Sequence, residues 1–193
     1  LTYRMGGSRR RNVPDQIEQP MMRNEHIVRA HQTPVVAINP ETGTPWRVIH
    51  VDNSARPLGS GSYESPVKSL AAAQSLATNP YDIVFVHAGK SAAEPYESQW
   101  QFQADNQFLI GQGSTLALNT ATCGYKQFFT SSTAVRPTLS AANGSIAAIA
   151  LRNGAVVDHL TVNAAGSSLA AIGADSSLTG IADVNDVVVT AGP

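Results

Sequence analysis

Residues 80–89 read PYDIVFVHAG. A turn opens the stretch, Ile83, Val84, Phe85 and Val86 form an unbroken apolar run of strand formers, and Ala88-Gly89 closes it. Four consecutive apolar positions predict a strand covered on both faces. Before it the chain has a Pro/Gly-rich lead-in and one helical pattern. After it, residues 90–193 show short strands and turns without a helical pattern. The strand therefore reads as the first rung of a repetitive, largely parallel β architecture.

The helical pattern lies immediately upstream. Ser65-Pro66 supplies a capping hydroxyl and a proline suited to a first helical position, which predicts a helix over residues 66–78. Val67, Leu70, Ala73 or Gln74, and Ala77 fall on one stripe, Ala71 to Ala73 add propensity, and Asn79-Pro80 ends it. A short, narrow-striped helix suits the open end of a β stack, where unpaired backbone and apolar side chains need a cover.

Downstream, two phrases recur. Ile146-Ala147-Ala148-Ile149 returns as Leu169-Ala170-Ala171-Ile172, and Val157 to Val162 returns as Val184 to Val189. The offsets differ, as expected of a coil of about twenty-odd residues whose turns vary in length. Strands are also expected at residues 108–110 and 115–118, and residues 125–130 hold Phe128-Phe129. Nearer the start, Trp46 to Asp52 alternates, with Trp46, Val48 and His50 on one side and Arg47, Ile49 and Val51 on the other. Residues 26–30 and 35–38 read as further short strands.

Composition bounds the partners. The chain has 193 residues, a net charge of -1 and 14% charged residues, against about 25% in an average soluble domain. Its polarity comes from Ser, Thr, Asn, Gln and Gly. No concentration of Lys and Arg marks a nucleic-acid footprint. Arg9, Arg10 and Arg11 form a basic knot that reads as a solvated junction or as a contact for anionic headgroups. Cys123 is the sole cysteine and makes neither a disulfide framework nor a four-ligand metal site. The sequence contains no signal-peptide pattern and no run as long as a membrane helix, and the chain reads as part of something longer.

Candidate chemistry is sparse. Tyr96 and Trp100 are the aromatics that could stack on a sugar, although packing against the side of the stack beneath the helix is the favoured reading. His50 and Asp52 could form a polar pair. Asp82 and His87 flank the central strand as a turn aspartate and a rim histidine. The Gly-Ser-Gly-Ser stretch at residues 59–62 lacks the lysine and the strand-to-helix setting of a phosphate loop. Asp158, Asp175, Asp183 and Asp186 raise calcium as a cofactor, since hard cations gather oxygen ligands, although their spacing fits neither an EF-hand nor a glycine-aspartate repeat. Solvated turns are the preferred explanation. No other cofactor is expected.

These phrases resemble a known class. NPYDIVFVHAG (79–89), preceded by SPVKSLAAAQSLA (65–77), resembles the cap and first coil of right-handed parallel β-helix proteins of the pectate-lyase-like class. RPTLSAANGSIAAIAL (136–151) and NGAVVDHLTVNAAG (153–166) resemble successive coils. RMGGSRRRNVPDQIEQPMMRNEHIV (4–28) is similar to the junction leaving the barrel of inverse-autotransporter-like outer-membrane proteins. The resemblance implies an all-β fold, a right-handed parallel β-helix with an N-terminal capping helix. Residues 1–13 would be the end of a barrel strand and its exit, residues 14–64 a linker with short strands, and residues 65–193 the cap and first coils. It implies export to the outer membrane and cell surface, with an extracellular glycan or surface protein as partner.

Enzymes of that class use clustered aspartates, or arginine and lysine beside calcium. Residues after Arg136 offer Arg152 and the four aspartates but no lysine and no adjacent aspartate pair. Asp183 and Asp186 are the pair to examine for glycoside hydrolysis, which needs two carboxylates at a set separation. The expectation is therefore a non-enzymatic surface passenger, a stalk or adhesin-like module. A polysaccharide lyase or glycoside hydrolase, and a purely structural segment, are the alternatives.

Overall fold

Ile83–Val86, a β-strand, is buried at all four positions, and its two faces enter two separate cores. Val84 and Val86 join the main core, while Ile83 and Phe85 join a second cluster with Ile110 and Leu118. Each such side chain contributes about 1.5–3 kcal/mol on burial, so the unbroken apolar run has a partner surface on each side. The computed structural model describes residues 36–97, 99–127, 136–141, 145–165 and 167–190. They belong to a compact unit, Val35–Pro193. The expected strands at 26–30 and 1–13, the arginine knot and Phe128-Phe129 lie outside the described residues.

In chain order the elements are β1 (Val48–Val51), α1 (Leu70–Leu76), β2 (Ile83–Val86), β3 (Tyr96–Glu97), β4 (Trp100–Gln101), β5 (Phe108–Gly111), β6 (Ala117–Thr120), β7 (Gly124–Gln127), β8 (Thr138–Ser140), β9 (Ser145–Leu151), β10 (Val156–Asp158), β11 (Thr161–Asn163), β12 (Ser167–Ala174), β13 (Asp183–Asn185) and β14 (Val188–Thr190). The described protein is thus mostly β, with a single helix. The first sheet runs β1-β2-β5-β10-β13, the second β3-β8-β11-β14 and the third β4-β9-β12. All pairings within these three sheets are parallel. β2 pairs parallel with β1 and β5, which excludes an antiparallel sandwich. From β2 onward the chain visits the three sheets in the same order.

Register stacks like residues on like. Ile49, Val84, Leu109, Val157 and Val184 form one inward column, Tyr96, Leu139, Val162 and Val189 a second, and Trp100, Ile149 and Ile172 a third. Residues of all three columns meet in one buried cluster with Leu70, Ala73 and Ala77 of α1. The two repeats seen in the sequence are these registers: Ile149 pairs with Ile172, and Val157 with Val184. Their unequal offsets arise because the connection from Ala174 to Asp183 is longer than that from Leu151 to Val156.

β6 and β7 depart from expectation. They form an antiparallel hairpin inserted between β5 and β8, not further rungs. The hairpin brings Leu118, with Leu116 packed beside it, onto the outer face of the first sheet.

The helix also starts later than residue 66. Ser69 is the N-cap, and its Oγ accepts the Ala72 N–H at 3.2 Å. Val67 is instead extended and bridges Val51 in parallel. The reason is the free edge of β1. His50 donates N–H to the Gly61 carbonyl (2.8 Å), Val67 donates to the His50 carbonyl (2.9 Å), and Asp52 donates to the Val67 carbonyl (2.8 Å). Buried edge groups must find partners, and these bonds take residues 61–67 out of reach of a helix. Gly59 permits the return: a Cβ there would lie 1.9 Å from the Pro66 carbonyl oxygen. α1 then lies over β1 and β4.

Candidate functional site

Tyr96 and Trp100 are core residues, in the packing role the sequence favoured, and neither offers a ring face for a sugar to stack on. Tyr96 is 4% exposed and Trp100 fully buried, because both begin short strands whose first side chain points inward. The Tyr96 hydroxyl donates to the His87 carbonyl (2.7 Å) and accepts the Asn53 N–H (3.0 Å). Burial pushes its pKa up to about 12. Trp100 packs edge-on to Phe102.

The four aspartates have separate partners. Asp175 accepts from Gln101 Nε2 (3.2 Å) and from its neighbours Ser176 and Ser177, contacts that lower its pKa. Asp158 accepts from Ser114 Oγ. Asp186 accepts from Arg136 and from His159 Nδ1, the latter at 2.6 Å, and Arg136 first, then His159, hold its carboxyl below the usual range. Asp183 opens the exposed strand β13. Among the described residues no group of three or more His, Cys, Asp or Glu side chains is placed to hold a metal ion.

The remaining sequence candidates resolve as follows. His50 Nδ1 meets His87 Nε2 at 3.1 Å, rather than Asp52, which accepts from Ser54 N–H and Oγ. Burial, then the neighbouring His87, lowers His50 to about 4, and burial lowers His87. Arg152 pairs with Asp105 at 2.7 Å. Cys123 is exposed at the hairpin turn.

The polar groups concentrate where the first sheet turns into the second. There His159 and Asp186 occupy equivalent positions in successive turns, both with left-handed φ (56° and 46°). Since a carboxylate only accepts, His159 Nδ1 donates to it, and a neutral ring then carries its lone pair at Nε2. That Nε2 is buried and has no hydrogen-bond partner. Gly113 covers it: a Cβ there would lie 2.4 Å from Nε2. The enclosure leaves no room for a substrate at the ring, so the Asp186 carboxylate acts here as an anchor between turns.

An open cleft lies at the opposite end of β1 and β2, and the sequence reading missed it. It holds about 360 Å³ and is lined by Thr42, Thr44, Trp46, Arg47, Asn79 and Tyr81, among others. Trp46 and Tyr81 are half-buried, with ring centroids 6.2 Å apart and planes at 77°. Trp46 Nε1 donates to the Asn119 carbonyl at 3.1 Å, and its ring packs edge-on to Phe108. Tyr81 has φ 66°, a conformation costing a bulky residue about 1–2 kcal/mol. Asp82, only 2% exposed, enforces it by accepting the Asn79 N–H (2.9 Å) and an Arg47 Nη1–H (3.1 Å). Burial nonetheless pushes the Asp82 carboxyl upward. The Arg47 side chain is 45% exposed, and its other N–H groups have no partner among the described residues. The available signal was Trp46 on the outward side of an alternating strand, paired with a tyrosine in a turn.

A larger groove of about 650 Å³ runs between α1 and residues 53–59, beside the fully exposed Leu58. Comparisons with protein-family models, with curated proteins and with solved structures each return no match.

Proposed function

We propose that residues 36–190 are the opening turns of a right-handed parallel β-helix that serves as a surface-exposed passenger, a non-enzymatic stalk or adhesin-like module. The observation that carries this reading is the repeated visit to three parallel sheets in one order, with like residues stacked in register. Parallel crossovers take the right-handed sense because twisted strands pack back onto a sheet only that way. Each added turn lengthens the stack and adds lateral surface without needing a new core. The covered edge of β1 supports a role for this end as the cap.

The setting rests on sequence likeness alone. The parent is read as an exported outer-membrane protein whose barrel precedes this region, from residues that lie outside the described part. Protease added to intact cells expressing the parent should remove an epitope placed within residues 90–193. Protection in intact cells with cleavage after lysis would overturn the surface assignment. Polysaccharide incubation with product analysis tests the non-enzymatic part: shortened chains or unsaturated ends, abolished by replacing Asp183 and Asp186, would show a β-helix polysaccharide lyase or hydrolase instead.

A further inference from the structure

We propose that the cleft between Trp46 and Tyr81 binds one pyranose unit of a saccharide, with Arg47 as its polar anchor. The proposal deepens the surface-module reading and rests on it for the setting in which a glycan would be met. Two aromatic rings near a right angle form a corner. Such a corner accepts the apolar C–H face of a sugar ring on one wall and its edge on the other. The cleft volume of about 360 Å³ falls within the range of small-ligand sites, which starts at about 300 Å³.

The polar lining matches the rest of a pyranose. Sugar hydroxyls donate and accept at once, and the lining offers Thr42 and Thr44 hydroxyls, the Asn79 amide and the unspent N–H groups of Arg47. Asp82 fixes Arg47 from below while being itself buried and occupied, so the guanidinium is pre-positioned. That same pairing offsets its charge, which disfavours a phosphate as the anchor's target. The left-handed Tyr81 adds an independent sign: a strained aromatic beside a half-exposed ion pair belongs to the kind of outlier that marks binding sites.

The test uses the full 193-residue chain with two sets of oligosaccharides, neutral and uronate, followed by ligand-observed NMR and tryptophan fluorescence. One set or both should bind with Kd near about 1 mM or tighter. Salt-sensitive binding confined to uronates would identify a carboxylate on Arg47. Salt-insensitive binding of neutral sugars would identify hydroxyls. Tyr81→Gly is the decisive variant, because glycine tolerates the left-handed backbone and the fold should be kept. It should weaken binding at least about tenfold, as should Arg47→Gln. Silence in both sets, or binding unchanged in Tyr81→Gly, would overturn the proposal. The protease experiment on cells is independent of this result, so either reading can fail without the other.

Discussion

Single residues here are governed by what stacks above and below them. His50 and His87 share one hydrogen bond, with Tyr63 and Phe85 packed around them. Burial lowers both, more than Glu64 raises His50 or Asp52 raises His87. A depressed histidine favours the neutral form in the fold. Its contribution is therefore complete above the unfolded value of 6.5 and lost as pH falls toward about 4. Urea midpoints measured between pH 7 and 4 should fall less for His50→Gln than for the parent. The difference should be on the order of 1 kcal/mol after allowance for solvent screening, and equal slopes would show that the pair does not set this pH dependence. Gly111 makes the complementary case. A Cβ there would lie 1.9 Å from the His159 carbonyl oxygen, so Gly111→Ala must push neighbouring turns apart. A loss of about 3 kcal/mol or more is expected by chemical denaturation.

At the scale of elements, the edge of β1 decided where the helix begins. Sequence propensity favoured Ser65-Pro66, but the backbone groups of His50 and Asp52 recruit Gly61 and Val67, leaving Ser69 to cap α1. Ser69→Ala should cost about 1 kcal/mol, whereas Ser65→Ala should stay within about 0.5 kcal/mol. Paired denaturation curves distinguish the two, and the reverse ranking would restore the earlier helix start. The hairpin β6–β7 is a second case in which tertiary demand overrode local pattern. β6 alternates buried and exposed positions like a strand of the stack, yet it pairs antiparallel with the exposed β7, and its Leu118 packs with Ile83, Phe85 and Ile110.

For the whole molecule, burial falls off along the stack. Leu109 and Val162 are fully buried in the middle turns, while Val184, Val188 and Val189 in the last described turn are 42%, 41% and 53% exposed. Leu109→Ala should therefore cost about 2–5 kcal/mol, and Val189→Ala no more than about 0.5 kcal/mol, by thermal or urea unfolding of this chain. Equal losses would mean that the columns do not share one core.

The sequence by itself determined the β class, the two-sided burial of Ile83–Val86 and the repeat that became strand register. Those features depend on side-chain type at fixed spacing, which any alternation or recurrence displays. It also read Asp82 and His87 as a turn aspartate and a rim histidine; Asp82 is buried and bonded to Arg47, and the half-buried His87 is bonded to His50. Only the tertiary structure decided the fate of Tyr96 and Trp100, since a two-residue strand carries too little pattern to say which way its aromatic points. Only it joined Trp46 to Tyr81, because their proximity comes from the parallel pairing of β1 with β2 across residues far apart in the chain. The separate partners of the four aspartates were likewise invisible, because Ser114, Gln101 and Arg136, which bond Asp158, Asp175 and Asp186, come from other turns of the chain.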